Sequence, residues 1–248
     1  MKKQCVINGR WFLAALVTML GLATSPSPVA AGHINCGAVL GPGGTFTLDS
    51  DVGPCSDPVV ISVHAATLNL NGFTVSGTAV LLTGQHCVEL IGTRATLQGP
   101  GTVQTCERGV VALGAGGHAV QDVISEFHTN NGFLLLSDGN RLTNNTSRSN
   151  TFVGISVGSQ GNRLTENTAT SNGVLGFQIV GASNRLANNT ATDNGDNGIE
   201  VLEGATANQL TGNVGQSNSA FDLADDNPNC DQNRWRGNTG TRNQNCIR

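Results

Sequence analysis

NRLTENTATSNGVLGFQIV, residues 162–180, is one copy of a pattern that recurs along the chain and sets its fold. The same pattern starts at Asn140, Asn184 and Asn208, giving four units at spacings of 22, 22 and 24 residues. With the first Asn as position 0, position 2 is Leu142, Leu164, Leu186 and Leu210. Position 5 is Asn145, Asn167, Asn189 and Asn213, and position 10 is Asn150, Asn172, Asn194 and Asn218. Position 14 is Gly154, Gly176 and Gly198, then Asp222, and position 15 is Ile155, Phe177, Ile199 and Leu223. A fixed period of this length marks a solenoid. Units starting at His118 and Ala95 keep the apolar columns (Val120, Phe133; Leu97, Val110) but lose the asparagines.

Within a unit, positions 15 and 17 are apolar around a variable position 16, the period-two mark of a strand. Positions 0–3 and 5–8 give two further short strands, and Gly and Asn punctuate the corners, where positive φ is tolerated. Three short strands per unit, with no room for a helix, describe one coil of a parallel β-helix. A single coil buries too few side chains to offset the entropy of ordering it, so stacking must supply the rest.

Outward from the repeat, residues 1–31 read as a secretory signal: Lys2, Lys3 and Arg10, then an apolar run from Trp11 to Ala23, then Val29-Ala30-Ala31 at the cleavage site. No later segment is apolar enough to span a bilayer as a helix. Residues 32–60 are expected to form an N-terminal cap, 61–224 the β-helix, and 225–248 a C-terminal cap in which Trp235 covers the end of the core. The runs Thr67–Leu70, Phe73–Val75, Val80–Leu82 and Val88–Leu90 read as irregular first coils. Six cysteines follow the signal, an even count that suggests disulfides in an exported protein. Proximity favours Cys36–Cys55, Cys87–Cys106 and Cys230–Cys246. Charged residues are 12% of the chain and the net charge is −4, which gives no reason to expect nucleic acid.

Several columns bear on chemistry. The asparagines read as structural ladders. Position 1 carries Arg141, Arg163 and Arg185, then Gln209; since position 2 points inward, position 1 points outward. Neighbouring charges about 5 Å apart repel by roughly 0.8 kcal/mol in water. The row is either a solvated surface eased by Glu166 or a binding site for the carboxylates of a uronic-acid polysaccharide. His118, Asp122, Glu126 and His128 are candidate general acid–base groups, although both histidines occupy asparagine columns. Asp193, Asp196 and Glu200 are candidate calcium ligands without a recognised calcium-loop spacing; no other cofactor is expected. Thr168-x-Thr170 and Thr190-x-Thr192 form a short outward array of the kind ice-binding surfaces use, interrupted on both sides. Positions 16 and 18 include Val111, Leu113, Leu134, Leu136, Val180 and Leu202: either an exposed apolar strip for a partner or corner residues turned inward.

The Gly-Ile-x-Val of Gly198–Val201 and the Asn-x-Leu-x-x-Asn of Asn162–Asn167 resemble the right-handed parallel β-helix repeat family. That family shares the pectate-lyase-like superfold with polysaccharide lyases, polygalacturonases, uronan epimerases and periplasmic NosD-like proteins. The resemblance covers roughly residues 60–224 and implies an all-β, single-stranded, right-handed parallel β-helix, here of about seven to nine coils. It implies no particular activity, since one superfold hosts many. The Asn-Thr-Asp and Gly-His-Gly motifs of the polygalacturonases and the Asp-Pro-His motif of the epimerases are absent, so no catalytic residue carries over. The expectation is a secreted or periplasmic protein that binds polysaccharide or a cell-surface component without catalysis. The alternatives are a polysaccharide lyase or epimerase and a structural module.

Overall fold

The computed structural model of the chain describes residues 33–78 and 84–248. The expected signal segment and the run Val80–Leu82 lie outside the described residues. Each unit makes three strands; for the unit starting at Asn162 they are Arg163–Thr165, Thr168–Thr170 and Phe177–Ile179. All pair in parallel with their equivalents one unit on: Arg163 beside Arg185, Ala169 beside Ala191, Phe177 beside Ile199. The third strands stack into a nine-stranded sheet from Ala38–Leu40 to Leu223–Asp225. The first and second strands form two more faces, joined into one fifteen-stranded sheet because Thr96–Gln104 and Ala119–Glu126 run round the corner between them. The chain is thus a parallel β-helix of about nine coils.

The core lies between the faces. Leu142, Leu164, Leu186 and Leu210 enter it from the first face, and Phe133, Ile155, Phe177 and Ile199 from the third. Position 7 is small, as in Ala169 and Ala191, because position 14 comes close. A Cβ on Gly154 would lie 3.0 Å from the Ala169 Cβ and 2.6 Å from the Asn172 amide nitrogen. A substitution there must displace its neighbours, so glycine is required by packing.

The corners are closed by hydrogen-bonded ladders. At each rung an Asn Oδ1 accepts the backbone N–H of the residue one coil earlier, as in Asn145→Asn167 (3.0 Å) and Asn167→Asn189 (2.9 Å). The side-chain amides of Asn145 and Asn167 also donate to the next Asn, at 3.0 Å each. His118 and His128 extend two ladders upward. Their Nδ1 atoms accept from the backbone N–H of Ala95 (3.0 Å) and Cys106 (3.2 Å). Asp222 ends the position-10 ladder, accepting both N–H and amide of Asn218.

The three expected disulfides form, Cys36–Cys55, Cys87–Cys106 and Cys230–Cys246. The coils run on into both segments expected to be caps. Residues 32–60 already contain strands Ala38–Leu40, Thr45–Thr47 and Val52–Cys55, with Leu40, Leu48 and Val52 buried, so the first coil begins there. At the other end Arg234–Arg236 is a strand paired with Gln209–Thr211. Asn233 and Asn238 take positions 0 and 5 of a further partial unit, accepting from the N–H of Asn208 and Asn213 at 2.9 Å each. Trp235 occupies the leucine column, only 4% exposed, and its indole N–H donates to the buried Asp225 at 2.8 Å. The apolar strip is discontinuous. Val111 is buried, Leu113, Leu134 and Leu202 are half-buried, and Leu136 and Val180 are exposed on either side of Gly158.

Candidate functional site

Arg141, Arg163 and Arg185 each begin a first-face strand, between a buried Asn at position 0 and a buried Leu at position 2. That alternation forces position 1 outward, and all three side chains are exposed. Their Cα atoms are direct partners in the ladder, Arg141 with Arg163 and Arg163 with Arg185. Register and pleat together therefore line up three guanidinium groups at the coil spacing, about 4.8 Å. Among the described residues, no carboxylate lies within 4.0 Å of any of them. Glu166, the expected partner, turns the corner after the first-face strand with φ 58° and pairs with no cation among the described residues. Beside the row, Thr143 and Thr165 at position 3 and Thr168 and Thr190 at position 6 add half-buried hydroxyls. The row offers charge for carboxylates and hydroxyls for sugar oxygens.

The candidate acid–base residues are not brought together. His118 and His128 are buried corner residues. His118 Nε2 donates to the Leu113 carbonyl at 2.7 Å, and His128 Nε2 lies 3.0 Å from the Ser125 hydroxyl. Burial lowers both histidine pKa values, that of His128 to about 4, against the smaller raising effect of their backbone hydrogen bonds. Both rings therefore hold the ladder as neutral imidazoles. Asp122 accepts from the Asn144 amide at 2.6 Å, and Glu126 pairs with Arg148 at 2.5 Å.

The candidate calcium ligands are spread in the same way. Asp193 and Asp196 are exposed, and Glu200 accepts from the Asn197 amide at 2.6 Å. Burial raises the Glu200 pKa, and Asp226 and Asp196 add to the rise. Among the described residues, the one set of three His, Cys, Asp or Glu ligand atoms within 4.8 Å of one another is Cys36, Cys55 and Asp57. Asp193, Asp196 and Glu200 form no such set.

One polar cluster has no counterpart in the sequence reading. On the outer side of the third face, His86 Nδ1 lies 2.6 Å from Glu89 Oε1, and Arg108 reaches His86 Nε2 at 3.3 Å. Arg108 also pairs with Glu107 at 3.0 Å. Arginine only donates, so Nε2 accepts and Nδ1–H donates to Glu89. The cluster depends on His86 and Arg108 being ladder partners, a register that the irregular early coils hide.

Solved structures share the fold. The periplasmic alginate epimerase AlgG matches with a TM-score of 0.64 and 15% identity over 75% of this chain. The Dettilon tailspike protein matches with 0.61 and 11% over 82%. Pectate lyase Pel9A matches with 0.53 and 13% over 88%, covering 68% of its own chain. This chain spans about half of the epimerase and the tailspike, 49% and 52%. No curated protein sequence matches. No helix among the described residues is long and apolar enough to cross a membrane. The family profile described as "Periplasmic copper-binding protein (NosD)" matches residues 57–248, and the chain belongs to that family.

Proposed function

We propose that this protein is a periplasmic or secreted polysaccharide-binding β-helix, which holds an acidic glycan along Arg141, Arg163 and Arg185. The observation that carries the proposal is an exposed, in-register row of guanidinium groups without carboxylate partners among the described residues. Three unpaired like charges at coil spacing destabilise the free protein slightly, and an acidic ligand removes that repulsion. The structural neighbours, an epimerase of alginate and a pectate lyase among them, support a polysaccharide partner. A periplasmic family and three disulfides support an extracytoplasmic site of action.

The family description names copper, and the donors here fit it poorly. Copper(I) sites favour thiolate and thioether, and copper(II) sites favour imidazole. Both methionines, Met1 and Met19, lie outside the described residues, and Cys36, Cys55, Cys87, Cys106, Cys230 and Cys246 are all bridged. His86, His118 and His128 use both ring nitrogens on protein partners. His33 and His64 belong to no set of three His, Cys, Asp or Glu ligand atoms among the described residues, and the one such set has its two sulfurs bridged, so these donors do not fit a copper site.

A titration of polygalacturonate into the wild type and an Arg141→Ala, Arg163→Ala, Arg185→Ala triple variant tests the proposal. Exposed ion pairs contribute about 0–1 kcal/mol each, so the triple variant should bind roughly 10- to 100-fold more weakly. Wild-type affinity should also fall with salt. Equal binding by the two proteins, or binding by neither, overturns it. A second reading, catalysis on a uronate chain, draws on the His86, Glu89 and Arg108 cluster. Formation of unsaturated or epimerised product, lost in His86→Gln, is its test.

A further inference from the structure

The row does not stop at Arg185. The next ladder partner at position 1 is Gln209, and the one after it is Arg234. Arg236 follows two residues later on the same strand and so projects from the same side. Both arginines are exposed, and neither has a carboxylate within 4.0 Å among the described residues. In the other direction the partner of Arg141 is Ala119, so the row begins at Arg141.

These two charges belong to a fixed strand. Trp235 sits inside the core between them, tied to Asp225 through its indole N–H. Asn233 and Asn238 flank the strand and end two amide ladders. The Cys230–Cys246 bridge closes the segment around it. The backbone that carries Arg234 and Arg236 is therefore held in place before any ligand binds, which lowers the ordering cost of binding.

We infer that Arg234 and Arg236 form the end of the same glycan site, making it five coils long with its most basic rung supplied by the C-terminal tail. This rests on the function proposed above. From Arg141 to Arg234 is four coil steps, about 19 Å, which matches about four to five sugar units of an extended chain. Gln209 contributes an amide at the fourth rung, suited to a hydroxyl or a carboxylate. The ligand is accordingly an acidic oligosaccharide segment of about five residues, and a shorter segment uses only part of the row.

Oligogalacturonates of about two to seven units, titrated into the wild type and an Arg234→Ala, Arg236→Ala double variant, test the inference. Wild-type affinity should climb up to about five units and then level off. The double variant should level off at about three units, binding the pentamer about 10-fold more weakly and the trimer within about threefold of the wild type. An Arg234→Lys, Arg236→Lys variant keeps the charge and should recover part of the loss at five units. A double variant with the wild-type dependence on length overturns the inference and leaves the proposed function standing. A wild type that binds none of the oligomers overturns both.

Discussion

Coils before residue 113 and coils from His118 onward close their corners with different chemistry. In the early coils, Cys36–Cys55 and Cys87–Cys106 each tie residues 19 apart, and no asparagine column runs through them. From His118 to Asn227 there is no cysteine, and three columns of amides connect every coil to the next. Cys106 marks the junction, since its backbone N–H is bound by His128, the top rung of the position-10 ladder. The amide ladder needs strict register, because each Oδ1 must meet a particular N–H. At the register shift between Gln121 and Val123 against the preceding coil only the position-5 ladder stops, at Val123, whereas the other two cross the same interface through His118 and His128.

The largest expected effect breaks a ladder. Asn167 accepts from the backbone N–H and amide of Asn145 and donates to the Leu142 carbonyl and to Asn189. Asn167→Leu orphans several buried groups at roughly 1–3 kcal/mol each, so a loss of at least about 3 kcal/mol should appear in the denaturant midpoint. Next comes the covalent side. Removing Cys87–Cys106 as a double Cys→Ala variant should cost about 3 kcal/mol, from the loop entropy of a 19-residue separation. A negligible loss would show that the early coils are held by packing alone.

The third expectation uses pH at the junction. His128 in the fold titrates at about 4 against 6.5 for the free side chain, because burial disfavours its charged form. The unfolded chain therefore takes up the proton first. The stabilisation is whole above 6.5 and is lost as pH falls towards 4. Between pH 8 and pH 5 the loss should be about 2 kcal/mol, and His128→Asn, which keeps an acceptor in the column, should remove most of that dependence. The smallest effect belongs to the surface. Thr168→Ala, on the outward side of the second face, should change stability by no more than about 0.5 kcal/mol. A shift as large as that of Asn167→Leu would mean the faces are wrongly assigned.

The same contrast decides what was legible in the sequence. Where the ladder runs, period and face could be read directly: Asn167 in, Arg163 out, Leu164 in. The arginine row was visible for that reason. Its last member was not, because Asn233 follows Asn208 after 25 residues with Pro228 and Cys230 between them, which reads as a terminal turn. The spacing of Asn233 and Asn238 around Trp235 was the available signal. The pairing of His86 with Arg108 was hidden for the opposite reason, since no repeated column aligns those coils. The histidines at 118 and 128 were visible as column members. Their ring nitrogens are taken up by the ladder itself, which only the hydrogen bonds reveal.

An acidic glycan lying along one row of arginines is reported most directly by their side-chain Nε–Hε resonances. With saturating oligogalacturonate, Arg141, Arg163, Arg185, Arg234 and Arg236 should shift together, with one dissociation constant. Arg94, Arg108 and Arg148, which lie off the row, should stay in place. Shifts centred on Arg108, or spread evenly over all arginines, would contradict the claim.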